Sequence, residues 1–274
     1  MRSAFLRGRN QHRIGGLELV GEGPTAIALS RGGARKTYSH TDPNEDCVAF
    51  ATGEGGQLVV ATDGHHGELG SEAAVQTILD EFAEPWTARN APILDPADWS
   101  RLGLEALARA NRAILEVAGR YQLPPAPTTF ALALVRPAED LLLHLSVGDS
   151  HVFAVDRGEA LELGGRDSDW KFTPFLGYEE ASAELLEKFS VIGQRGLEGL
   201  RAIILATDGL SEPGIGVEDP AQSVFATVSQ IEFDAPPDRR AVDTCRHITE
   251  IALRSHRQQK AGDNIGCSVI WLGD

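Results

Sequence analysis

Two apolar runs in this chain end in the same Asp-Gly pair. Leu58-Val59-Val60-Ala61 leads into Thr62-Asp63-Gly64, and Ala202-Ile203-Ile204-Leu205-Ala206 leads into Thr207-Asp208-Gly209. Short apolar runs bounded by turn residues read as buried strands. Glycine lets the backbone turn tightly directly behind each acid. Two strands therefore each deliver a carboxylate to a strand end, where side chains can converge on a cleft. A third acid-bearing turn, Gly262-Asp263-Asn264, precedes a closing strand over 265–272. The remaining sequence reads as a scaffold that brings these three turns together.

Further strands are predicted over 25–30, 47–51, 128–135, 141–147 and 151–155. Helices are predicted from an N-cap at Ser71 through Phe82, over 98–120 and over 239–257, with a loop from Pro85 to Pro96. Residues 1–22 show no firm period. Residues 161–196 read as irregular with a helical stretch over 178–188, and 211–238 as a Gly-, Pro- and acid-rich segment around the apolar stretch 224–228. Many strands follow one another without an intervening helix. That argues against a parallel βαβ array and for an α+β fold with antiparallel sheets and helices packed outside.

At 274 residues the chain is long enough for a sizeable core. A formal net charge of -15 argues against a general nucleic-acid binder, which needs a basic footprint. No apolar stretch is long enough to span a bilayer, and the N-terminus lacks the apolar core of a signal peptide. Cys47, Cys245 and Cys267 are scattered and form no metal-binding pattern. They point to a reducing compartment and a cytoplasmic location.

Glu45, Asp46, Asp63, Asp149, Asp208 and Asp263 all fall at or beside a strand end or a turn. Taken singly, each has an ordinary reading, because acids are common in turns. Together, and with the strand-plus-Asp-Gly unit repeated in both halves, they describe an oxygen-rich cage. Hard divalent cations such as Mg²⁺ and Mn²⁺ prefer carboxylate and water ligands. Two such ions roughly 4 Å apart activate water and hold attacking and leaving oxygens. A cation is also the natural counter-charge for clustered acids. His65 can serve as a general acid near neutrality, or as an ordinary turn histidine; His66 reads as structural or rim. Thr128 and Thr129 read as strand and capping residues. Cys47 reads as a buried, inert thiol, and Gly53, Gly55 and Gly56 as a hairpin turn.

In chain order, Asn44-Glu45-Asp46, Asp63-Gly64-His65-His66-Gly67, Thr128-Thr129, Gly148-Asp149-Ser150, Thr207-Asp208-Gly209-Leu210 and Gly262-Asp263-Asn264 resemble the landmarks of the type 2C (PPM) metal-dependent Ser/Thr protein phosphatases. The resemblance spans about residues 25–272. It implies a single domain over 1–274, built as a four-layer α-β-β-α sandwich of two antiparallel sheets flanked by helices, with a substrate-facing flap at 165–196. It implies hydrolysis of phosphoserine or phosphothreonine in a phosphorylated protein partner, in signalling, by a metal-activated water and without a covalent phosphoenzyme. Two Mn²⁺ or Mg²⁺ ions are implied. Asp63 would bridge them, Asp208 and Asp263 would complete one, and the Gly64 carbonyl and, through water, Glu45 would serve the other. Asp46 would orient bound waters, Asp149 matches the position of a weaker third metal, and His65 matches the general acid.

The pattern departs from the family at two positions. Thr41 stands four residues before Glu45, where the family places an arginine that grips the substrate phosphate. Threonine cannot make a charged bidentate clamp, so Arg35 and Lys36 become candidate replacements. His151 stands where many members carry an arginine, at a position read as structural. Two other readings stay open: a phosphomonoesterase for a small molecule, and a degenerate phosphatase fold that binds a partner. The metal acids are all retained, which speaks against the second.

Overall fold

Twelve strands among the described residues form two six-stranded antiparallel sheets. The computed structural model describes residues 1–36, 44–91, 95–124, 126–164, 175–178 and 181–273. The first sheet has the order β1-β4-β5-β6-β7-β10. Its strands are β1 Arg2–Arg7, β4 Cys47–Thr52, β5 Gln57–Thr62, β6 Phe130–Arg136, β7 Leu141–Val147 and β10 Ser190–Arg195. The second has the order β2-β3-β12-β11-β8-β9. It contains β2 Glu18–Glu22, β3 Thr25–Ser30, β8 His151–Val155, β9 Ala160–Glu162, β11 Ala202–Ala206 and β12 Ile265–Trp271.

The central strands are continuous apolar runs because both of their faces are covered. In β5, Leu58 and Val60 face a helical layer, while Val59 and Ala61 face the opposing sheet. In β11, Ala202, Ile204 and Ala206 face helices, while Ile203 and Leu205 face between the sheets. The first helical layer comprises α1 Leu69–Thr77, α2 Ala83–Thr87, α3 Pro96–Tyr121 and α4 Ala183–Phe189. The second comprises α5 Pro220–Asp234 and α6 Arg240–Gln259. These are the four layers expected from the resemblance. No described helix is long and apolar enough to cross a membrane.

Several local expectations need correction. Residues 1–22 hold two strands, β1 and β2. Both are sheet edges whose mixed exposure blurs the period-2 pattern. Ser71 is not an N-cap: it lies inside α1, buried, with its hydroxyl donating to the Glu45 carbonyl. The helical path runs through a π turn, Ile78–Phe82, into α2, so Pro85 sits in a helix rather than a loop. The stretch 224–228 is the middle of α5, which starts at an Asp219 side-chain cap. Within the expected flap, residues 190–195 are strand β10, paired with β7. Residues 165–174 and 179–180 lie outside the described residues, as does Thr41. Gly53 N–H donates to Gly56 O at 2.9 Å, closing the β4–β5 hairpin.

Candidate metal centre

Strand register brings the acids together. In the first sheet Cys47 pairs with Thr62, so the residues before β4 and after β5 share one end. Glu45, Asp46 and Asp63 therefore lie there. In the second sheet Ala206 pairs with both His151 and Cys267. The residues before β8, after β11 and before β12 thus share one end, which carries Asp149, Asp208 and Asp263. Stacking the sheets places both ends at one edge of the sandwich.

Hydrogen bonds lash this edge across the two sheets. Thr207 Oγ1 donates to Asp46 Oδ2 at 2.8 Å and accepts from Gly266 N–H at 2.8 Å. Glu45 N–H donates to Asn264 Oδ1 at 3.0 Å. Asp63 N–H donates to Thr129 Oγ1 at 2.9 Å, and Thr128 Oγ1 donates to the Asp63 carbonyl at 2.8 Å. The Thr129 and Ser150 hydroxyls meet at 2.7 Å. Gly67 N–H donates to Glu45 Oε1 at 2.7 Å. His256, fully buried on α6, accepts from Gly33 N–H at its Nδ1 and donates from Nε2 to the Gly209 carbonyl at 2.7 Å. At Gly64 a Cβ would lie 2.6 Å from the Glu45 carbonyl, so only glycine lets the Asp63 turn pack on the Glu45 strand entry.

Asp63, Asp149 and Asp208 each present a carboxylate oxygen, and the three lie within 4.8 Å of one another. Lys36 stands beside them with a side chain only 6% exposed; its ammonium lies 2.9 Å from Asp263 Oδ1 and 3.5 Å from Glu45 Oε2. Burial pulls the Lys36 pKa down, and Asp263, Asp46 and Asp63 more than offset it, leaving a net rise. Burial raises the Asp63 carboxyl well above the usual range, with Asp208, Asp46 and Asp263 adding to it. Asp208 is raised by burial and then by Asp263, Asp149 and Asp46. Asp46 is pushed up to about 7, chiefly by burial, with Lys36 opposing and Asp263 adding.

Asp46 therefore gives a pH-dependent stability of definite sign. In the unfolded chain an aspartate titrates near about 4. The raised native value contributes stability below that point, which is lost as pH rises through about 7. In EDTA, Asp46→Asn is expected to gain in Tm relative to wild type between about pH 5 and about pH 8. A constant difference over that range would show that Asp46 does not titrate there.

His65 follows directly. Its Nδ1 is 3.9 Å from Asp63 Oδ2, its ring packs on Phe175 at 4.4 Å, and burial lowers its pKa. His66 has a left-handed backbone, φ 66°, and stands at the rim. Lys36, Glu45, Asp63, Gly64, His65, His66 and Asp208 line a small cleft of about 70 Å³. Past His66 an apolar groove of about 260 Å³ opens, floored by Leu69, Ile114, Ala118 and Leu123. His151 is buried, with Nδ1 2.6 Å from Glu162 Oε2 and Nε2 2.7 Å from Ser211 Oγ. It ties the start of β8 to β9 and to the segment after Asp208. Cys47 is buried, which pushes its thiol up to about 12.

The donor set suits hard divalent cations. Every candidate ligand is an oxygen, and Asp46 Oδ1 and Asp149 Oδ1 are buried with no hydrogen-bond partner among the described residues. Buried carboxylate oxygens without protein donors call for a cation or ordered water. Of the candidate phosphate contacts, Lys36 lines the cleft and the Arg35 side chain is exposed. The sequence motifs contain Thr129, Thr207 and Asn264 but give them no part in holding the acids, and they leave out His256. Thr129, Thr207, Asn264 and His256 are scattered along the chain. His256 carries no local signal, because it meets Gly33 and Gly209 only through the fold.

The profile of the family described as Protein phosphatase 2C matches residues 34–240. No curated protein matches the sequence. Among solved structures, the Staphylococcus aureus serine/threonine phosphatase Stp1 is 16% identical, with TM-score 0.65 over 94% of this chain and 98% of that one. The Mycobacterium tuberculosis serine/threonine phosphatase PstP/Ppp is 19% identical, with TM-score 0.63 over 94% and 99%. The catalytic domain of PstP in complex with two manganese ions is 20% identical, with TM-score 0.63 over 94% and 100%. With the match covering most of its length, and the acid turns gathered at one edge of a two-sheet sandwich, the chain belongs to the protein phosphatase 2C family.

Proposed function

We propose that this protein hydrolyses phosphoserine and phosphothreonine in other proteins, in the cytoplasm, using two Mn²⁺ or Mg²⁺ ions. The observation that carries the reading is the convergence of Asp63, Asp149 and Asp208 oxygens within 4.8 Å, beside Lys36 and His65. Asp63, Asp208 and Asp263 would hold one ion. Asp63, the Gly64 carbonyl and, through water, Glu45 would hold the other, with Asp46 orienting water and Asp149 available to a weaker third. Bound divalent ions supply Lewis-acid activation of water and neutralise phosphate charge.

The chain's own residues supply the rest. Lys36 is the cleft's cation for the phosphate, in the role the Thr41 substitution leaves open. Its lone ammonium grips less specifically than a guanidinium fork. His65 borders the same cleft, and its acid form can protonate a departing serine or threonine oxygen. The apolar groove beyond His66 favours a peptide over a small phosphorylated molecule, because it offers a surface for side chains flanking the phosphoresidue. The three free, buried cysteines fit a reducing compartment.

The test is hydrolysis of phosphoserine and phosphothreonine peptides with Mn²⁺ or Mg²⁺, against small phosphate esters and an EDTA control. Metal-dependent turnover with higher kcat/KM on peptides supports the reading. Turnover of small esters alone would move the assignment to a small-molecule phosphatase, and no turnover of either to a binding protein. On active protein, His65→Ala is expected to lower peptide kcat by roughly 100-fold and aryl phosphate kcat by less than about tenfold, since a good leaving group needs little acid help. Equal losses would remove His65 from proton transfer.

A further inference from the structure

Lys36 is the one lysine or arginine side chain lining the described cleft, and it is set on acids assigned above to the cation site. Its ammonium lies 2.9 Å from Asp263 Oδ1 and 3.5 Å from Glu45 Oε2, and both carboxylates are about as buried as the lysine. Glu45 Oε1 is already engaged by Gly67 N–H, so Oε2 is the oxygen it offers the cleft. Asp263 Oδ1 also accepts from Asn264 N–H at 2.7 Å. The tethered cation therefore draws on the same few oxygens that a divalent ion would need.

We infer that Lys36 is a built-in competitor of the divalent ions, and that it sets the metal concentration at which the centre loads. Two cations cannot share a buried carboxylate oxygen without strong mutual repulsion, so one ion taking Asp263, and a second whose bound water takes Glu45, have to displace the ammonium. The tether keeps the displaced ammonium at the rim of the cleft, where a phosphate would meet it. Metal loading and exposure of the phosphate-facing cation then become one event. Arg35, the adjacent residue, cannot substitute, because its side chain is exposed while its carbonyl accepts from Gly262 N–H. The inference rests on the cation-site assignment proposed above and is independent of the substrate.

The experiment is calorimetric titration of the full chain with Mn²⁺ at fixed pH, for wild type, Lys36→Met, Lys36→Gln and Lys36→Arg, with melting curves in EDTA and in saturating Mn²⁺. Removing the tethered charge is expected to tighten Mn²⁺ binding by about tenfold or more, which is ~1.4 kcal/mol. Lys36→Arg, which keeps the charge, should stay near wild type. In EDTA the neutral variants should melt below wild type, because the acids lose their counter-charge, and saturating Mn²⁺ should close that gap. If Lys36→Met and Lys36→Gln bind Mn²⁺ no more tightly than wild type, or lose equal stability with and without Mn²⁺, Lys36 is a plain structural ion pair and the inference fails. Wild type binding Mn²⁺ in that case would leave the cation site standing. If no variant binds Mn²⁺, the cation site and the inference fall together. Binding in the neutral variants alone would support competition.

Discussion

Asp63→Asn is expected to abolish phosphatase activity and to stabilise the metal-stripped protein. Asp63 directly follows β5, is almost fully buried, and presents a carboxylate oxygen within 4.8 Å of oxygens from Asp149 and Asp208. Burial, and then the charges of Asp208, Asp46 and Asp263, raise its pKa, so the ionised form is costly without a cation. Asparagine keeps the shape and the backbone bonds to Thr128 and Thr129 but removes the charge. Mn²⁺ affinity should fall by about 100-fold or more and kcat by roughly 1,000-fold, because the ligand proposed above to be shared by two ions would lose its charge. In EDTA at mildly alkaline pH the variant should melt above wild type, since one source of repulsion is gone. A site shaped for function is often a site of stored instability. Calorimetry with Mn²⁺ and melting in EDTA test both halves. Unchanged two-site binding would refute the bridging role, and a lower Tm in EDTA would refute the repulsion argument.

Gly209→Ala is expected to damage stability and the metal centre together. A Cβ at Gly209 would lie 1.8 Å from the Asn264 carbonyl oxygen and 2.9 Å from its carbon. Both atoms are backbone at the entry to β12, so no side chain can swing aside. The Asp208 turn and the Asp263 turn would have to separate. The Gly209 carbonyl would also pull against its hydrogen bond from His256. Overpacking of this kind costs roughly 2–4 kcal/mol. For a chain of this length that corresponds to a Tm drop of roughly 3–7 °C. Mn²⁺ binding should weaken as well, because Asp208 and Asp263 sit on the two turns that move. A wild-type Tm would show that the two turns tolerate separation. A lowered Tm with unchanged Mn²⁺ affinity would show that the acids do not depend on that contact.

The sequence by itself determined the elements whose signal is local. An apolar run closed by Asp-Gly marks β5 and β11 wherever they sit, because strand burial and the glycine turn are written within about ten residues. The amphipathic periods of α3 and α6 are equally self-contained. Edge strands β1, β2 and β10 were not legible: exposure on one side dilutes their alternation, and their strand character comes from the neighbour they pair with. The sequence implied that the acid turns meet; what only the tertiary structure decided is the register and packing that bring them together. Pairing of Ala206 with both His151 and Cys267 puts Asp149, Asp208 and Asp263 at one end, and no local pattern encodes that register. The same holds for Lys36 and Arg35. Both are basic and adjacent in sequence, yet one ammonium is buried against Asp263 and Glu45 while the guanidinium beside it faces solvent. Long-range packing of the Gly262 turn on this segment makes that choice, and a sequence read residue by residue contains no term for it.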